Sequence, residues 1–330
     1  MFDPITIGLV GGVLVLLCIA SAVVYVLKKR ADSGLDAAII ETFRRRVFSW
    51  WVLCTLLAAA FFIHPIATVV FFGGLSFWAL REFITLTPTR PGDHRTLFWV
   101  FFLCTPAQFV LVGLDVYPSY NLYPLYSILI PVYAFLLIPA RIAISGDSKR
   151  FLERTAKIQA GLLICVYCLS YAPALLTLRL PDEYAGSNLR LLFFFVLMVQ
   201  LSDALQYAWA QIPSKHVIAP AISPTRTWEG LLGGTASVTL IGAALWWATP
   251  FQGQYWWMAA AMSAVIALMA FAGGITMSAI KRDRGVTDYG TLVEGHGGVL
   301  DRIDSLCFAA PVFFHCTRFW LEMTKNAAAG

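Results

Sequence analysis

The chain has 330 residues, of which 59% are hydrophobic and only 13% are charged, and its mean hydropathy is +0.72. A soluble domain carries about a quarter charged residues, so this composition excludes an ordinary water-soluble fold. Long, mostly apolar runs, such as 189–201, in which only Arg190 and Gln200 are polar, exclude a transmembrane β-barrel, whose strands would alternate polar and apolar residues. The net charge of +5 is a modest excess and does not indicate a nucleic-acid partner.

Apolar runs along the chain predict an all-α, polytopic integral membrane protein. One transmembrane helix needs about 20 apolar residues, and the composition accommodates about ten such helices. The predicted spans are 5–27, 47–63, 66–80, 97–114, 122–139, 158–178, 191–207, 231–249, 256–277 and 303–318. We expect 1–330 to form a single integral membrane domain, with N-terminal spans in 1–199 and a region of catalytic motifs in 200–310.

The basic residues predict the orientation of these spans. No Lys or Arg precedes the first span, and Lys28, Lys29 and Arg30 follow it, which predicts an uncleaved helix with its N-terminus outside. With that orientation, 20 of the 24 Lys and Arg residues fall on the inner side. The sequence therefore predicts a multi-pass protein of the cell membrane, or of the inner membrane in a cell that has two.

Two polar stretches are interpreted as structural. Residues 146–157 are expected to form a solvated or interfacial loop without a recognisable site. Arg81 and Glu82, at the end of a predicted span, are interpreted as an ion pair.

Polar residues are densest in 278–305, where both signs of charge occur together. The segment holds Lys281, Arg282, Arg284 and Arg302, the acids Asp283, Asp288, Glu294, Asp301 and Asp304, and also His296. Carboxylates interleaved with cations are suited to binding Mg²⁺ and phosphates together. The glycines at 295, 297 and 298 add backbone N–H groups that can approach a phosphate closely.

Two further features fall on the same predicted cytoplasmic side, where nucleoside triphosphates are found. Residues 223–230 supply hydroxyls, one cation and one carboxylate, although the same segment is also typical of a helix start. Asp203 lies near the end of a predicted span, and an ionisable residue at membrane depth is a functional candidate. A structural ion pair is the alternative for Asp203.

These residues also carry a family resemblance. Ser278 to Arg282, Asp288 and the segment 296–304, which reads HGGVLDRID, resemble the signature of phosphatidate cytidylyltransferases, also called CDP-diacylglycerol synthases. Residues 223–230 and 202–204 resemble two further blocks of that family. The resemblance covers 200–310, and the N-terminal region is similar only in its general apolar character.

The resemblance implies that CTP and phosphatidate, a membrane lipid, are converted to CDP-diacylglycerol and pyrophosphate with the help of Mg²⁺ and a second cation, K⁺. It implies metal binding by Asp203, Asp288 and Asp283, and catalytic roles for Asp288, Lys281, Arg282, His296, Asp301, Arg302 and Asp304. It assigns substrate binding to Ser223, Arg226, Thr227, Glu229, Gly297, Gly298 and Arg284. Whether Asp301 and Asp304 ligate metal or orient an arginine is left open.

Thr287 is a departure from the family, whose members usually have Lys at the position before Asp288. We expect a neighbouring cation such as Arg284 to substitute for that lysine. One alternative is a CTP-dependent enzyme that acts on another lipid phosphate or phosphorylates a long-chain alcohol. An ion or lipid transporter that uses Asp203 is an alternative of a different class, and a homodimer stays possible.

Overall fold

The computed structural model describes residues 4–29, 44, 47–48, 51, 54–55, 58–60, 63–86, 89–181, 184, 186–212, 216–251, 256–290 and 297–329. The chain divides into two compact units, Met1–Phe71 and Phe72–Gly330. The helices are α1 (Pro4–Lys29), α2 (Pro65–Thr85), α3 (Pro91–Asp115), α4 (Tyr123–Ile144), α5 (Phe151–Thr177), α6 (Asn188–Trp209), α7 (Trp228–Ala244), α8 (Trp256–Arg284) and α9 (Leu300–Ala329). A hairpin of β1 (Val217–Ala219) and β2 (Ser223–Thr227) precedes α7.

Helices α2, α3, α4, α5, α6 and α8 are each long and apolar enough to cross a membrane. They expose large apolar side chains, for example Phe102 at 61% and Leu136 at 62% of their surface, as expected where lipid replaces water. These six helices confirm the general prediction of a helical membrane protein. The count of about ten spans and the orientation stay predictions, and the predicted span 47–63 lies largely outside the described residues.

In the first unit, α1 carries a polar contact within its apolar surface. Ser21 donates a hydrogen bond to the carbonyl of Leu17 one turn earlier, at 2.8 Å. Its hydroxyl also accepts a hydrogen bond of 3.0 Å from the indole N–H of Trp51. Such bonds satisfy polar groups that lipid cannot solvate.

In the second unit, α3, α4 and α5 each contain a π-helical segment, at Val100–Cys104, Leu129–Ala134 and Leu162–Cys168. A π-helical segment changes the regular backbone pairing, so side chains can reach its carbonyls. Ser76 of α2 donates a 2.7 Å hydrogen bond to the carbonyl of Cys165 in α5.

Glycines in α7 allow close packing against α6. A Cβ at Gly234 would lie 2.8 Å from the backbone nitrogen of Gln206, and Gly233 faces the ring of Trp209. Helix α8 packs in turn against α6, α7 and α9. Small residues at such interfaces let helix backbones approach closely in membrane bundles. This packing brings together the ends of α6, α8 and α9, which carry the candidate site.

Two expectations from the sequence need correction. The all-α prediction missed the hairpin, in which Val217 pairs with Thr227 and Ala219 with Ser223 in antiparallel register. Strands of three and five residues leave too little alternation for a sequence pattern to reveal. The predicted loop at 146–157 is wrong from Phe151 onward, because α5 begins there and buries Arg154 to 4% exposure.

Arg154 belongs to an ion-pair network at the start of α5. Its guanidinium lies 2.7 Å from Asp147 and 3.4 Å from Asp93, while Arg90 lies 3.1 Å from Asp147. Hydrogen bonds from Arg90, Lys149 and Arg154 lower the pKa of Asp147 to about 2. The network links the turn before α3 to the loop before α5.

Candidate active site

Two carboxylates from distant parts of the chain meet at one hydroxyl. Ser305 of α9 donates a hydrogen bond of 2.9 Å to Oδ1 of Asp203 in α6. The backbone N–H of Ser305 donates to Oδ1 of Asp304 at 2.7 Å, and its hydroxyl lies 3.3 Å from the same oxygen. The hydroxyl carries a single proton, so it can bridge the two acids but cannot neutralise them. The result is a concentration of acidic oxygen at one end of the bundle.

Arg226 brings a cation from the hairpin toward these acids. Its Nη1 donates a 2.9 Å hydrogen bond to Oε1 of Gln206, which lies one helical turn beyond Asp203 on α6. The guanidinium lies 5.5 Å from the ring centre of Phe271 and fills the space beside Gly274, where a Cβ would overlap it. Asp304 also experiences the attraction of this guanidinium.

Lys281 is held by Asp301. Its Nζ lies 2.9 Å from Oδ1 of Asp301, and the two side chains are only 18% and 10% exposed. The other oxygen, Oδ2, accepts hydrogen bonds from the backbone N–H groups of Tyr289 at 2.8 Å and Gly298 at 2.9 Å. Asp301 therefore orients a lysine and the backbone of the loop between α8 and α9.

That loop begins with a defined helix end. The N–H of Gly285, at φ +69°, bonds to the carbonyl of Arg282, and the N–H of Val286 bonds to the carbonyl of Lys281. This is a Schellman motif, in which glycine adopts the left-handed conformation at little cost. It turns the chain away from α8 toward Asp288.

Asp288 lies close to a second glycine of the loop, Gly297, which also has a left-handed backbone conformation. A Cβ at Gly297, where φ is +78°, would lie 3.0 Å from Oδ1 of Asp288 and 2.8 Å from Oδ2 of Asp301. Both carboxylates therefore border the same small space. The hydroxyl of Thr287 donates a 2.8 Å hydrogen bond to Oδ2 of Asp288. Residues 291–296, which include the predicted site residue His296, lie outside the described residues.

Of the other predicted site residues, Asp283 and Arg282 lie exposed near the end of α8, and Arg302 is half-buried. Asp283 is 67% exposed on its side chain and forms an ion pair with the adjacent Arg284. Arg282 is exposed and donates a 3.2 Å hydrogen bond to the carbonyl of Ile222 in the hairpin turn. Arg302 lies in the first turn of α9, and its backbone N–H bonds to the carbonyl of Val299 at 2.9 Å.

The segment 223–230 forms β2 and ends in a helix start, which is one of the two interpretations left open by its sequence. Thr227 is the N-cap of α7, and its hydroxyl accepts a 3.0 Å hydrogen bond from the N–H of Gly230. Glu229 accepts a 2.6 Å hydrogen bond from Nδ1 of His216, which lowers the pKa of Glu229. Ser223 is buried, and its hydroxyl lies 3.3 Å from that of Thr225.

Glu82 is the residue that sequence interpretation missed. It is 4% exposed, and its Oε1 and Oε2 accept hydrogen bonds from the N–H groups of Val299 at 2.9 Å and Leu300 at 2.8 Å. The expected Arg81–Glu82 ion pair is wrong, because the Arg81 guanidinium lies 5.0 Å from the ring centre of Trp78 instead. The signal that selected Asp203, an acid within a predicted span, did not apply to Glu82, because the predicted span ended at residue 80 whereas α2 continues to Thr85.

The donor set favours a hard metal ion that is shared with a substrate. Within the described part of the chain, no three His, Cys, Asp or Glu side chains converge as a preformed metal site. Mg²⁺ in nucleotide sites commonly uses one or two protein carboxylates together with water and substrate phosphates. The carboxylates of Asp203 and Asp304, joined through Ser305, fit that pattern.

A family model described as the cytidylyltransferase family matches residues 44–320. The chain belongs to this family. It is therefore a nucleotidyltransferase, as the motifs predicted. A protein of Escherichia coli (strain K12), named YnbB and described as uncharacterized, is 34% identical over 278 residues, which are 83% of this chain and 87% of that protein.

Two relatives have a named activity. A phosphatidate cytidylyltransferase of Staphylococcus aureus (strain COL) is 32% identical over 130 residues, which are 39% of this chain and 50% of that enzyme. A phosphatidate cytidylyltransferase of Mycobacterium leprae (strain TN) is 35% identical over 132 residues, which are 40% of each chain. This chain therefore matches half or less of the length of these two enzymes.

Proposed function

We propose that this protein is a CTP:phosphatidate cytidylyltransferase, which makes CDP-diacylglycerol and pyrophosphate. The observation that carries the proposal is the meeting of Asp203 and Asp304 at Ser305, with Arg226 and Lys281 held close to them. Membership of the cytidylyltransferase family and the two relatives with that named activity support the same reaction.

The reaction requires two anions to approach each other. An oxygen of the phosphatidate phosphate attacks the α-phosphorus of CTP, and a new P–O bond forms. The bond from the α-phosphorus to the oxygen bridging the α- and β-phosphates breaks, and pyrophosphate leaves with that electron pair. Because the nucleophile is already an oxyanion, the protein mainly needs to position the reactants and offset their repulsion.

Arg226 and Lys281 are the cations that we assign to this task. Both are fixed before substrate binds, Arg226 by Gln206 and Lys281 by Asp301. Preorganised charges stabilise developing charge without reorganising during the reaction. We further assign phosphate contacts to Arg282, Arg302 and the glycine turn at 297–298.

We propose Mg²⁺ binding by Asp203 and Asp288, with Asp304 beside Asp203, and K⁺ as a second cation. Their carboxylate oxygens are the hard donors that such ions prefer. When bound, Mg²⁺ would neutralise phosphate charge. Asp283 contributes less in this proposal, because its side chain faces solvent and pairs with Arg284.

We place this chemistry on the cytoplasmic face of a multi-pass membrane protein. The distribution of 20 of 24 Lys and Arg residues on one predicted side supports that orientation. CTP is available there, and phosphatidate can enter from the adjacent leaflet.

A second acceptor class has a specific observation in its favour. Thr287 stands where the family usually has a lysine, and it donates a neutral hydrogen bond to Asp288. YnbB, which matches most of this chain, is described as uncharacterized. Cytidylyl transfer to another lipid phosphate is therefore the second candidate.

An acceptor panel tests the proposal. Purified protein is incubated with CTP, Mg²⁺ and one of three acceptors: phosphatidate, a different lipid phosphate or a long-chain alcohol. The lipid products are then identified by mass spectrometry. We expect CDP-diacylglycerol from phosphatidate as the fastest reaction. Faster conversion of another acceptor would replace the proposed substrate, and no nucleotide-containing lipid from any acceptor would contradict the reaction class.

A further inference from the structure

We infer that Glu82 is a positioning residue that holds the loop between α8 and α9 in its catalytic geometry. This inference rests on the proposed function, because it assigns Glu82 a part in the same site. Glu82 acts through the loop backbone, and we assign it no contact with the substrate. It is only 4% exposed, and its two oxygens accept backbone hydrogen bonds.

The first line of evidence is the start of α9. The first N–H groups of a helix have no partner within the helix. Glu82 of α2 supplies a partner for the N–H of Leu300, the first residue of α9, and for that of Val299 directly before it, and its negative charge lies at the positive end of the helix dipole. Asp301, which holds Lys281, is the next residue of the chain. Displacement of the α9 start would therefore displace the Asp301–Lys281 pair.

The second line of evidence is the close approach of the loop to the same carboxylate. A Cβ at Gly290 would lie 2.7 Å from Oε1 of Glu82, and a Cβ at Gly298 would overlap both carboxylate oxygens. The loop thus contacts Glu82 at two points, before and after residues 291–296. A side chain at either position would overlap the Glu82 carboxylate, so that the carboxylate or the loop backbone would have to shift.

The third line of evidence is the neighbour of Glu82. The ring of Phe83 stacks on that of Tyr289 with 6.3 Å between centres and an interplanar angle of 15°. Tyr289 donates through its hydroxyl to the carbonyl of Met277 at 2.9 Å and through its N–H to Asp301 at 2.8 Å. The end of α2 therefore holds both sides of the loop.

Substitution of Glu82 by glutamine, E82Q, separates this role from simple packing. The glutamine side chain would keep the size of the native one but offer one carbonyl oxygen and one NH₂ group. The NH₂ group would face a backbone N–H, so one hydrogen bond would become a repulsive contact. Glu322 provides the matched control, because it is 57% exposed and pairs with Arg318 in the C-terminal half of α9.

The kinetic test compares E82Q and E322Q with the wild-type enzyme. For E82Q we expect kcat to fall by more than about tenfold and KM for CTP to change by less than about threefold, because the interaction serves the reacting geometry. For E322Q we expect both constants to stay within about twofold of wild type, as for a surface ion pair. An E82Q enzyme with wild-type kcat would overturn the inference.

A rescue experiment adds a readout that a general loss of stability would not produce. G298A should impair turnover because its Cβ overlaps the Glu82 carboxylate, and the shorter side chain of E82D should make room for it. We expect the double variant E82D/G298A to be at least as active as G298A alone. Such a result would be strongly non-additive, as expected for residues in contact. If instead the losses in turnover caused by E82D and by G298A multiply in the double variant, the two positions act independently, and this would count against the contact.

Hydrogen–deuterium exchange separates failure of this inference from failure of the proposed function. Amides in 297–302 should exchange faster in E82Q than in wild type or E322Q, without substrate present. Unchanged exchange would overturn the positioning role, whatever the activity. Faster exchange together with a wild-type protein that makes no CDP-lipid would contradict the proposed function and leave the loop contact established.

Discussion

Ser305 on α9 donates a hydrogen bond of 2.9 Å to Asp203 on α6, across 102 residues of sequence. The bond links α9, which begins directly after the glycine-containing loop, to α6, which carries Asp203. It also sets Asp203 beside Asp304, the residue before Ser305. This contact makes the acidic cluster a product of tertiary packing, which neither segment forms alone.

We predict that D203N loses turnover by more than about a hundredfold, because an amide oxygen is a much weaker ligand for a hard cation than a carboxylate. S305A should lose about 10- to 100-fold, since it removes an orienting hydrogen bond and leaves both acids in place. Steady-state formation of the lipid product measures both.

Matched variants and a folding readout make the ligand prediction specific. D288N should resemble D203N, whereas E322Q should retain activity, and all variants should elute as single species in detergent. Full activity of D203N and D288N at limiting Mg²⁺ would show that the assigned ligands are wrong, even if the reaction is right.

Thr287 gives a prediction about the acceptor. Its hydroxyl already donates to Asp288, and an ammonium group in T287K could donate to the same oxygen. We expect T287K to change turnover with phosphatidate by less than about tenfold, or about 1.4 kcal/mol of activation free energy. A far larger gain in kcat/KM would indicate that the wild-type protein is adapted to another lipid phosphate.

The network around Asp147 gives a prediction about pH. Because its pKa is lowered to about 2 in the folded protein, the ionised carboxylate stabilises the fold above the unfolded pKa of about 3.9. That contribution is lost as the pH falls through the folded pKa. D147N should therefore lower the thermal unfolding midpoint at pH 6, and the difference from wild type should shrink toward pH 3. An equal difference at both pH values would argue against an ionised Asp147 in the network.

Cysteine labelling tests the orientation on a background without the seven native cysteines. S148C, in the exposed loop before α5, should react with an impermeant reagent only from the inner side. S119C, exposed between α3 and α4, should react only from the outer side. Labelling of both positions from one side would contradict the predicted alternation of spans.

The local elements of the site could be predicted because their signals are short in sequence. Pro224 followed by threonine and glutamate indicated a helix start, and α7 begins within that segment, at Trp228, with Thr227 as its N-cap. Apolar runs located the long helices because every backbone group within lipid must be paired internally. In both cases, residues close together in the sequence determine the local structure.

Contacts over long sequence distances could not be predicted in the same way. Glu82 meets Val299 and Leu300 more than 200 residues later, and nothing near Glu82 in the sequence specifies that partner. The same applies to Arg226 of β2, whose guanidinium occupies the space beside Gly274 on α8. Tertiary packing fixes these partners, and a single sequence pattern does not encode it.

The most direct measurement of the proposed reaction follows each phosphate of CTP. Wild-type protein and D203N are incubated with phosphatidate, Mg²⁺ and CTP labelled at either the α- or the γ-phosphorus. With wild type, the α label should enter the lipid fraction and the γ label should appear in pyrophosphate, while D203N should transfer almost no label. Transfer of the γ label to lipid would instead identify a kinase, and an unlabelled lipid fraction in the wild-type reaction would contradict cytidylyl transfer to phosphatidate.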